Sequence, residues 1–550
     1  MAKRTGKSAA LMLAALVLSA LLLPAMAVAL PLTGGETRML VQPTVPPPPT
    51  PTPAPTPTPA PPEAPETLTP VAEAAPENFN LRNSVVGEGQ NDLAMPAQGG
   101  YGEVDGVLTF RGGPWRQNAA YGYASAPEGR LEIVWEKNIG SIDNWSGVGW
   151  NGQCALVRWP QETLQVMNVY EEKKQKENLV EVIYGTLDGH IYFLDLEDGS
   201  PTRDPIDVGF PLKGSVSVDP RGVPLLYSGQ GISTAEGKSG KIGLHVFSLV
   251  TGEELYFLNG RDDDAYRNHG AFDSVALVDA HSDTLLAPGE NGLLYTVRLN
   301  TQYDAASGAL SIAPVQSAYR YRNNRGLGIE NSLAVWDHYG YFTDNGALLQ
   351  CVDLNTLTPV WAADVTDDSD ASCALDERPD GSVLVFTGCE VDKQGQGGSA
   401  YLRCFDALTG ELVWEYSEVC TYDADVNGGV LGSPLIGDGP VDNLVYFHIA
   451  KTYEGGGALV ALDKDTGEVA WRLKLPRYGW SSPVAVYGAE GEANILLGDS
   501  GGNLRLLDAR TGEERSRVEL YGNIEGSPAV FGDMLVVGTR GCKIYGVRIR

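Results

Sequence analysis

The sequence predicts an all-β fold, an eight-bladed β-propeller of four-stranded antiparallel blades. Three observations lead to this prediction: a repeat of blade length, a second strand motif in phase with it, and complementary incomplete repeats at the two ends. The composition agrees, because 66 glycines and 20% charged residues in a chain of 550 suit a turn-rich β protein better than a helical one.

The first motif is a short apolar strand that ends at a polar residue and runs into a turn, as in ALDKDTGEVAW at residues 461–471. Copies end about 50 residues apart, which is the length of a propeller blade, at Asp195, Ser248, Arg298, Asp353, Asp406, Asp463 and Asp508. In the best copy we expect Asp463 and Thr466 to hold the turn by hydrogen bonds. Gly467 should take a positive φ, and Trp471 should pack on a neighbouring blade. Asp406, Gly410 and Trp414 repeat this pattern one blade earlier.

The second motif is a short strand that opens with a serine. Its copies begin at Ser215, Ser274, Ser332, Ser372, Ser433, Ser482 and Ser527. Small residues suit the innermost strand of a blade, where strands crowd around the central channel.

The two ends of the repeat region complete each other. The chain ends in KIYGVRIR (543–550), a third strand without a fourth, whereas RLEIVWEKNIG (130–140) resembles a fourth strand without the first three. We therefore expect the N-terminal strand to join the C-terminal blade and close the ring, which removes the exposed sheet edges.

The N-terminal region predicts export. Residues 1–30 combine Lys3, Arg4 and Lys7 with an apolar run, which fits a signal peptide or an N-terminal membrane anchor. Residues 31–108 form a Pro/Thr-rich disordered spacer and lead-in, and residues 109–550 the propeller domain, with blades from about 131. The predicted location is extracellular or at the cell surface, with membrane attachment only through the N-terminal segment.

Charge and cysteines narrow the partners and the chemistry. The net charge of −30 predicts no nucleic-acid partner. Seven cysteines remain, an odd number, and none has metal-site spacing. Five lie between residues 351 and 420, so one or two disulfides and buried free thiols are both open alternatives.

The repeats resemble the PQQ-like (pyrroloquinoline-quinone-type) β-propeller family, whose blade motif A-x-D-x-x-T-G-x-x-x-W is matched from Ala461 to Trp471. TFRGGPWRQNAAYG (109–122) also resembles the segment that precedes the first blade in such proteins. The resemblance implies either a dehydrogenase that binds PQQ and calcium in the channel, or a non-catalytic scaffold. The dehydrogenases typically carry an adjacent cysteine pair, which this sequence lacks, so the resemblance favours the non-catalytic branch.

The loops that lead into the innermost strands supply the candidate ligand-binding residues, because they surround one mouth of the channel. Arginine, asparagine and aromatic side chains there suit an anionic or sugar-like ligand. The alternative is that these loops make ordinary contacts between blades. The candidates are Trp145, Trp150, Tyr266, Arg267, Asn268, His269, Tyr321, Arg322, Asn323 and Arg325.

Acidic residues near the same mouth supply a candidate metal site. Asp367, Asp368 and Asp370 lie in DVTDDSDAS (364–372), and clustered carboxylates are ligands for calcium. The alternative is a solvated acidic loop. Asp273, Glu330, Asp370 and Glu525 also fall one or two residues before the serines of innermost strands.

The predicted function is that of an exported, non-enzymatic scaffold or binding module at the cell envelope. A monomer would recognise a protein or a cell-wall glycan through one face of the ring. The alternatives are a quinoprotein-type dehydrogenase or sugar-active enzyme with its site at the channel mouth, and a calcium-dependent adhesion module. No catalytic residues are assigned. No cofactor is expected, with PQQ or calcium as the alternatives.

Overall fold

The computed structural model describes residues 67–96, 99–149, 152–423 and 426–550. The predicted export segment, the Pro/Thr-rich stretch up to residue 66 and Trp150 lie outside these ranges. Within them, no helix has the length and apolar character needed to cross a membrane.

The described chain forms eight antiparallel blades, and its core lies in the layers between them. From the innermost strand outward, blades 1 to 4 consist of Ala155–Arg158, Glu181–Gly185, His190–Asp195 and Ile206–Asp207; Val216–Val218, Leu225–Gly229, Gly243–Ser248 and Glu254–Asn259; Leu277–Asp279, Thr284–Pro288, Leu293–Arg298 and Val315–Arg322; Ala334–Trp336, Tyr339–Thr343, Leu348–Asp353 and Thr358–Asp364.

Blades 5 to 8 continue in the same order. They consist of Ala374–Glu377, Val383–Gly388, Ser399–Asp406 and Leu412–Val419; Leu435–Ile436, Leu444–Ala450, Gly457–Asp463 and Val469–Leu475; Val484–Tyr487, Ala493–Gly498, Asn503–Asp508 and Glu514–Glu519; Ala529–Phe531, Met534–Thr539, Lys543–Ile549 and Leu131–Asn138.

The predicted repeat and the predicted split blade are both present. In blades 1 to 7 the third strand ends at the residue that the sequence placed as equivalent. In blade 8, Leu131–Asn138 pairs antiparallel with Lys543–Ile549, so the outermost strand comes from the N-terminal side of the chain.

Tryptophans of the outermost strands pack on the turn glycines of the next blade. Trp414 Nε1 donates a hydrogen bond to the carbonyl oxygen of Lys464 at 2.7 Å. A Cβ on Gly467 would lie 2.7 Å from Trp414 Cδ2, so only glycine fits beneath the ring. The same arrangement joins Trp135 to Gly199, Trp361 to Gly410, and Trp471 to Gly512.

The turn before that glycine is held by its own side chains. Asp463 Oδ1 accepts hydrogen bonds from the backbone N–H groups of Asp465 and Thr466 and from the Thr466 hydroxyl. Gly467 has a φ of +70°, in the left-handed region that favours glycine. The carboxylates of this segment therefore serve the architecture.

The serines of the innermost strands link consecutive blades. The N–H of Ser332 donates to the hydroxyl of Ser372 at 2.8 Å, and the pattern continues from Ser372 to Ser433, Ser433 to Ser482 and Ser482 to Ser527, each at 3.0 Å. Each serine thus satisfies a buried backbone donor of its neighbour. This explains the recurrence of serine better than its small size alone.

Residues 105–121 fill the channel, and we call this segment the plug. The strand Asp105–Val107 pairs with the innermost strand of blade 1, and Ala120–Tyr121 pairs parallel with that of blade 8. Between these ends the plug visits the other blades in turn. Its oxygens accept hydrogen bonds from inner-strand N–H groups of Val218, Val335, Leu375, Ile436, Ala485 and Val530.

Two arginines hold the plug in place. Arg116 is fully buried and donates to the carbonyl oxygens of Leu333 at 2.8 Å and Val275 at 3.2 Å, which belong to two different blades. Arg111 donates to those of Pro434 and Pro483 in two others. Burial lowers the pKa of both guanidinium groups to about 9. The guanidinium forks replace the hydrogen bonds that water would otherwise make to these carbonyls.

Residues 67–96, which the sequence assigns to the spacer and lead-in, lie along the outside of blades 3 to 5. The strand Arg82–Val86 adds to the outer edge of blade 3 by pairing with Val315–Arg322. The N–H of Val71 donates to Thr409 and that of Met95 to Asp337. The structure therefore adds this segment to the folded unit.

Blade 1 carries an insertion that the repeat pattern does not predict. The short helices Gln161–Val166 and Glu171–Lys174 lie between its first and second strands, and the N–H of Asn168 donates to Leu249 in blade 2. The remaining small elements are 3₁₀ turns at Ala72–Ala74, Pro76–Phe79 and Gly439–Val441 and strands at Ser141–Ile142, Trp145–Ser146, Thr234–Ala235, Lys238–Ser239, Gln302–Asp304, Ala309–Ser311, Glu390–Val391 and Gly428–Val430. All seven cysteines are free thiols, and six of them are buried.

Candidate functional site

The end of the channel where the innermost strands begin is lined by carboxylates, and we call it the acidic mouth. The plug and the carboxylates lie at opposite ends of the channel. The plug contacts residues that follow the strand serines, whereas the carboxylates precede those serines or lie in the connections between second and third strands. The group consists of Asp273, Glu290, Glu330, Asp368, Asp370 and Glu390.

Three of these side chains converge. Oxygen atoms of Asp273, Glu290 and Glu330 all lie within 4.8 Å of one another. Lys213 pairs with Asp273, and His269 Nδ1 lies 2.9 Å from Glu290 Oε2. Within the described ranges, Asp273 Oδ1 and Glu290 Oε1 are buried and have no hydrogen-bond partner. Two buried oxygens therefore remain to accept a cation or a donor.

Burial and mutual repulsion shift the titration of the mouth. Burial raises the pKa of Glu290 to about 7, and the charges of Asp273 and Glu330 add to the shift. Burial likewise raises the pKa of Glu390 to about 8, with Asp368 and Glu330 contributing. Near neutral pH these carboxyl groups thus hold protons that exposed carboxyl groups would have lost.

Asp370 and Glu390 form a second close pair. Burial raises the pKa of Asp370 well above its usual range, and the charge of Glu390 contributes. The N–H of Asp370 donates to Glu390 Oε1 at 3.3 Å, and Asn427 donates to Glu390 Oε2 at 2.9 Å. Glu330 lies close enough for its charge to act on both carboxyl groups.

The carboxylate oxygens at the mouth suit a hard cation as ligand atoms better than they suit an anionic organic group. Calcium binds carboxylate oxygens at about 2.3–2.6 Å, so two ligands on opposite sides are about 5 Å apart, which the triad of Asp273, Glu290 and Glu330 can supply. Pyrroloquinoline quinone carries carboxylates of its own. The basic side chains beside the triad already have partners. Lys213 forms an ion pair with Asp273, and Arg267 donates hydrogen bonds to two carbonyl oxygens. In the described part of the chain, Lys213 and Arg267 beside the triad are therefore already engaged and offer no free cation to the carboxylates of the quinone.

Several of the predicted ligand-binding residues lie at the mouth but support other residues there. Arg267 donates to the carbonyl oxygens of Glu290 and Leu327. Asn323 donates to Asp344, and its Oδ1 accepts from two backbone N–H groups of its own turn. Arg325 pairs with Asp364 at 2.6 Å. His269 contacts the carboxylate triad directly and is about half exposed.

The other candidates are spread over the molecule. Tyr321 is a correction: it is fully buried and stacks on Tyr319, because both residues lie on the face of their strand that packs into the core between blades. Tyr266 and Arg322 lie at the outer edge of blade 3, and Asn268 is exposed in the loop that leads to this blade. Trp145 lies in a small hairpin before blade 1.

The predicted metal site at Asp367, Asp368 and Asp370 also needs correction. Asp367 is fully buried, and its carboxylate accepts hydrogen bonds from the backbone N–H groups of Asp368, Asp392, Lys393 and Gln394. Its oxygens therefore hold a loop and do not reach the other two carboxylates as a ligand set.

The carboxylates that do converge were only partly visible in the sequence. The sequence marks Asp273 and Glu330 by their position one or two residues before the strand serines. Glu290 and Glu390 lie instead in the connections between second and third strands, where Glu390 begins the short strand Glu390–Val391. Lys213 lies in a loop without a sequence motif. The signal that could have found them is an acidic residue two positions after a second strand, repeated in blades 3 and 5.

Comparison with known proteins supports the fold. Residues 344–540 match the PQQ_2 family model, described as outer membrane protein assembly factor BamB. The matched segment, just over a third of the chain, is similar to PQQ-like β-propeller repeats. Its similarity to the outer membrane protein assembly factor BamB of Legionella pneumophila (strain Paris) is 33% identity over 87 residues, 16% of this chain and 21% of that relative. The match thus spans about a fifth of the relative's length.

Two solved structures are similar to this β-propeller, and the first of them supports its architecture. A quinohemoprotein alcohol dehydrogenase, ADHIIG from Pseudomonas putida HK5, is 13% identical with a TM-score of 0.54, over 83% of each chain. BamB from Moraxella catarrhalis is 17% identical with a TM-score of 0.46, over 67% of this chain and 93% of that one. At these identities the dehydrogenase shares the fold alone.

Proposed function

We propose that this protein is an exported, non-enzymatic binding module of the cell envelope, which holds a protein or glycan ligand at the acidic mouth. The observation that carries the proposal is the structural difference between the two ends of the channel. One end is filled by the plug, whereas the other presents buried carboxylates without hydrogen-bond partners.

The surface around the mouth supports binding of a macromolecule. Tyr453 and Tyr521 are 78% and 71% exposed, and they lie in the same classes of loop as the mouth carboxylates. Exposed aromatic side chains beside charged groups are typical of protein interfaces. The similarity of residues 344–540 to an assembly factor also supports a protein partner at the envelope.

The quinoprotein alternative is tested by titrating the purified protein with PQQ and recording its absorbance. We expect no saturable binding and no alcohol- or sugar-dependent dye reduction, because the mouth carboxylates repel the carboxylates of the quinone. Stoichiometric binding together with substrate-dependent dye reduction would overturn the non-enzymatic proposal.

A second candidate function, calcium-dependent binding, is favoured by the convergent triad of Asp273, Glu290 and Glu330. Calcium should raise the melting temperature at pH 8 more than at pH 5, because the ion needs ionised carboxylates. Glu330→Gln should abolish that rise. Glu513→Gln, an exposed carboxylate in a turn of blade 7, is the matched control. Identical melting in EDTA and calcium at both pH values would exclude the candidate.

A further inference from the structure

Three arginines come together on the outer edge of blade 3, at a place that the sequence does not connect. The strand Arg82–Val86 pairs antiparallel with Val315–Arg322, and Arg82 lies directly opposite Arg322. Side chains of opposite residues lie on the same face of a sheet, as do those two positions apart, so Arg320 shares that face. We call Arg82, Arg320 and Arg322 the arginine edge.

The positive charge of the arginine edge is only partly compensated. Arg320 lies 3.7 Å from Asp264 and donates to the hydroxyl of Ser84 at 2.9 Å. Arg82 and Arg322 are exposed, and neither forms an ion pair with a residue in the described ranges. Like charges directly opposite one another destabilise a strand pair. The edge thus carries a cost in the absence of an anion.

In the described ranges, Arg82 and Arg322 lack the carboxylate partners that several other surface arginines have. Carboxylates are abundant, because the chain has 70 acidic and 40 basic residues. Other surface arginines form ion pairs with them, such as Arg325 with Asp364 and Arg158 with Asp105. At the arginine edge only Arg320 has a carboxylate neighbour in the described ranges, and an aromatic ring lies beside two of the three arginines. The guanidinium carbons of Arg320 and Arg322 lie 4.8 Å and 5.8 Å from the ring centroid of Tyr266.

We propose that the arginine edge binds a phosphoryl group. A guanidinium donates two parallel N–H bonds to the oxygens of phosphate. Two guanidinium groups without ion pairs offset the charge of about −2 on inorganic phosphate, or of about −1 on each phosphodiester of a polymer. The Tyr266 ring restrains Arg320 and Arg322, which lowers the entropy lost on binding. Inorganic phosphate and a phosphate-bearing polymer share this chemistry. The site is separate from the acidic mouth and does not depend on the function proposed there.

Calorimetric titration of the full chain in mild detergent tests the proposal, with inorganic phosphate and with poly(glycerol phosphate) at constant ionic strength. We expect saturable binding, and Arg82→Ala and Arg322→Ala should each raise the Kd about tenfold. Arg82→Lys keeps the charge but loses the fork, so it should fall between. Arg298→Ala is the control, since Arg298 is an exposed arginine of the same blade away from the edge.

A stability readout separates loss of the site from loss of the fold. Without phosphate, Arg82→Ala should melt at or above the wild-type temperature, because it removes repulsion. Phosphate should raise the melting temperature of the wild type and of Arg298→Ala by more than that of Arg82→Ala. Tighter binding of the polymer than of phosphate would identify the polymer as the source, and equal binding the free anion. Absence of binding by both, or an equal loss in Arg298→Ala, would overturn the proposal.

Discussion

Gly467 gives a sharp test of how the blades are joined. Its φ is +70°, and a Cβ there would lie 2.7 Å from Trp414 Cδ2. Gly395 is the matched control, since its φ is +68° but no heavy atom lies within 4 Å of a Cβ built there. Alanine at either position adopts a left-handed conformation, which costs about 1–2 kcal/mol. Only Gly467→Ala also overpacks the ring, which costs about a further 1–3 kcal/mol.

The free energy of unfolding, measured by guanidinium denaturation and tryptophan fluorescence, should therefore fall by about 1–2 kcal/mol for Gly395→Ala and about 2–5 kcal/mol for Gly467→Ala. In a Trp414→Ala background the ring is gone, so Gly467→Ala should cost no more than the control. Equal losses for the two glycine variants in the wild-type background would refute the packing role of this glycine.

Three further predictions follow from the buried groups. Arg116→Met should lower the free energy of unfolding by about 3–5 kcal/mol, because carbonyl oxygens of two blades lose their donor. Arg298→Met is the surface control and should cost less than about 0.5 kcal/mol. An equally small loss for Arg116→Met would contradict the role of this arginine in holding the plug. The melting temperature should fall from pH 5 to pH 8, because burial raises the pKa of Glu290 to about 7 and that of Glu390 to about 8 in the folded state. The stability that these protonated groups contribute is fully present below their unfolded pKa and is lost as pH rises through their folded pKa. Glu290→Gln should flatten this pH profile, and an unchanged slope in that variant would contradict the assignment. The cysteines are free thiols, so a reducing agent should leave the melting temperature unchanged, and a reductant-dependent shift would indicate a disulfide.

The propeller could be predicted because each blade repeats its own local signals. The third strands end at the positions marked by residues such as Asp406 and Asp463. A tryptophan ring from the preceding blade explains the turn glycines Gly199, Gly410, Gly467 and Gly512. These residues interact within one repeat or between neighbouring repeats. They therefore recur at a constant spacing, which is visible in the sequence.

The plug could not be predicted, because its partners lie far away in the chain. RGGPWRQN has no strand or helix periodicity, and Arg111 bonds to Pro483, 372 residues later. The strand at Arg82–Val86 has the same character, since its edge partner begins at Val315. The parity of a strand decided the position of Tyr321, and hydrogen bonds to backbone N–H groups that belong to another loop decided the role of Asp367.

Photo-cross-linking in the producing cell tests the central claim that the acidic mouth binds the partner. A photoreactive phenylalanine derivative would replace Tyr521 or Tyr453 at the mouth, or Tyr123, which is 75% exposed beside the plug. We expect a discrete adduct from the mouth positions that is lost when Asp273→Asn and Glu330→Gln are combined. Adducts from Tyr123 at equal or higher yield, unaffected by those substitutions, would contradict that claim.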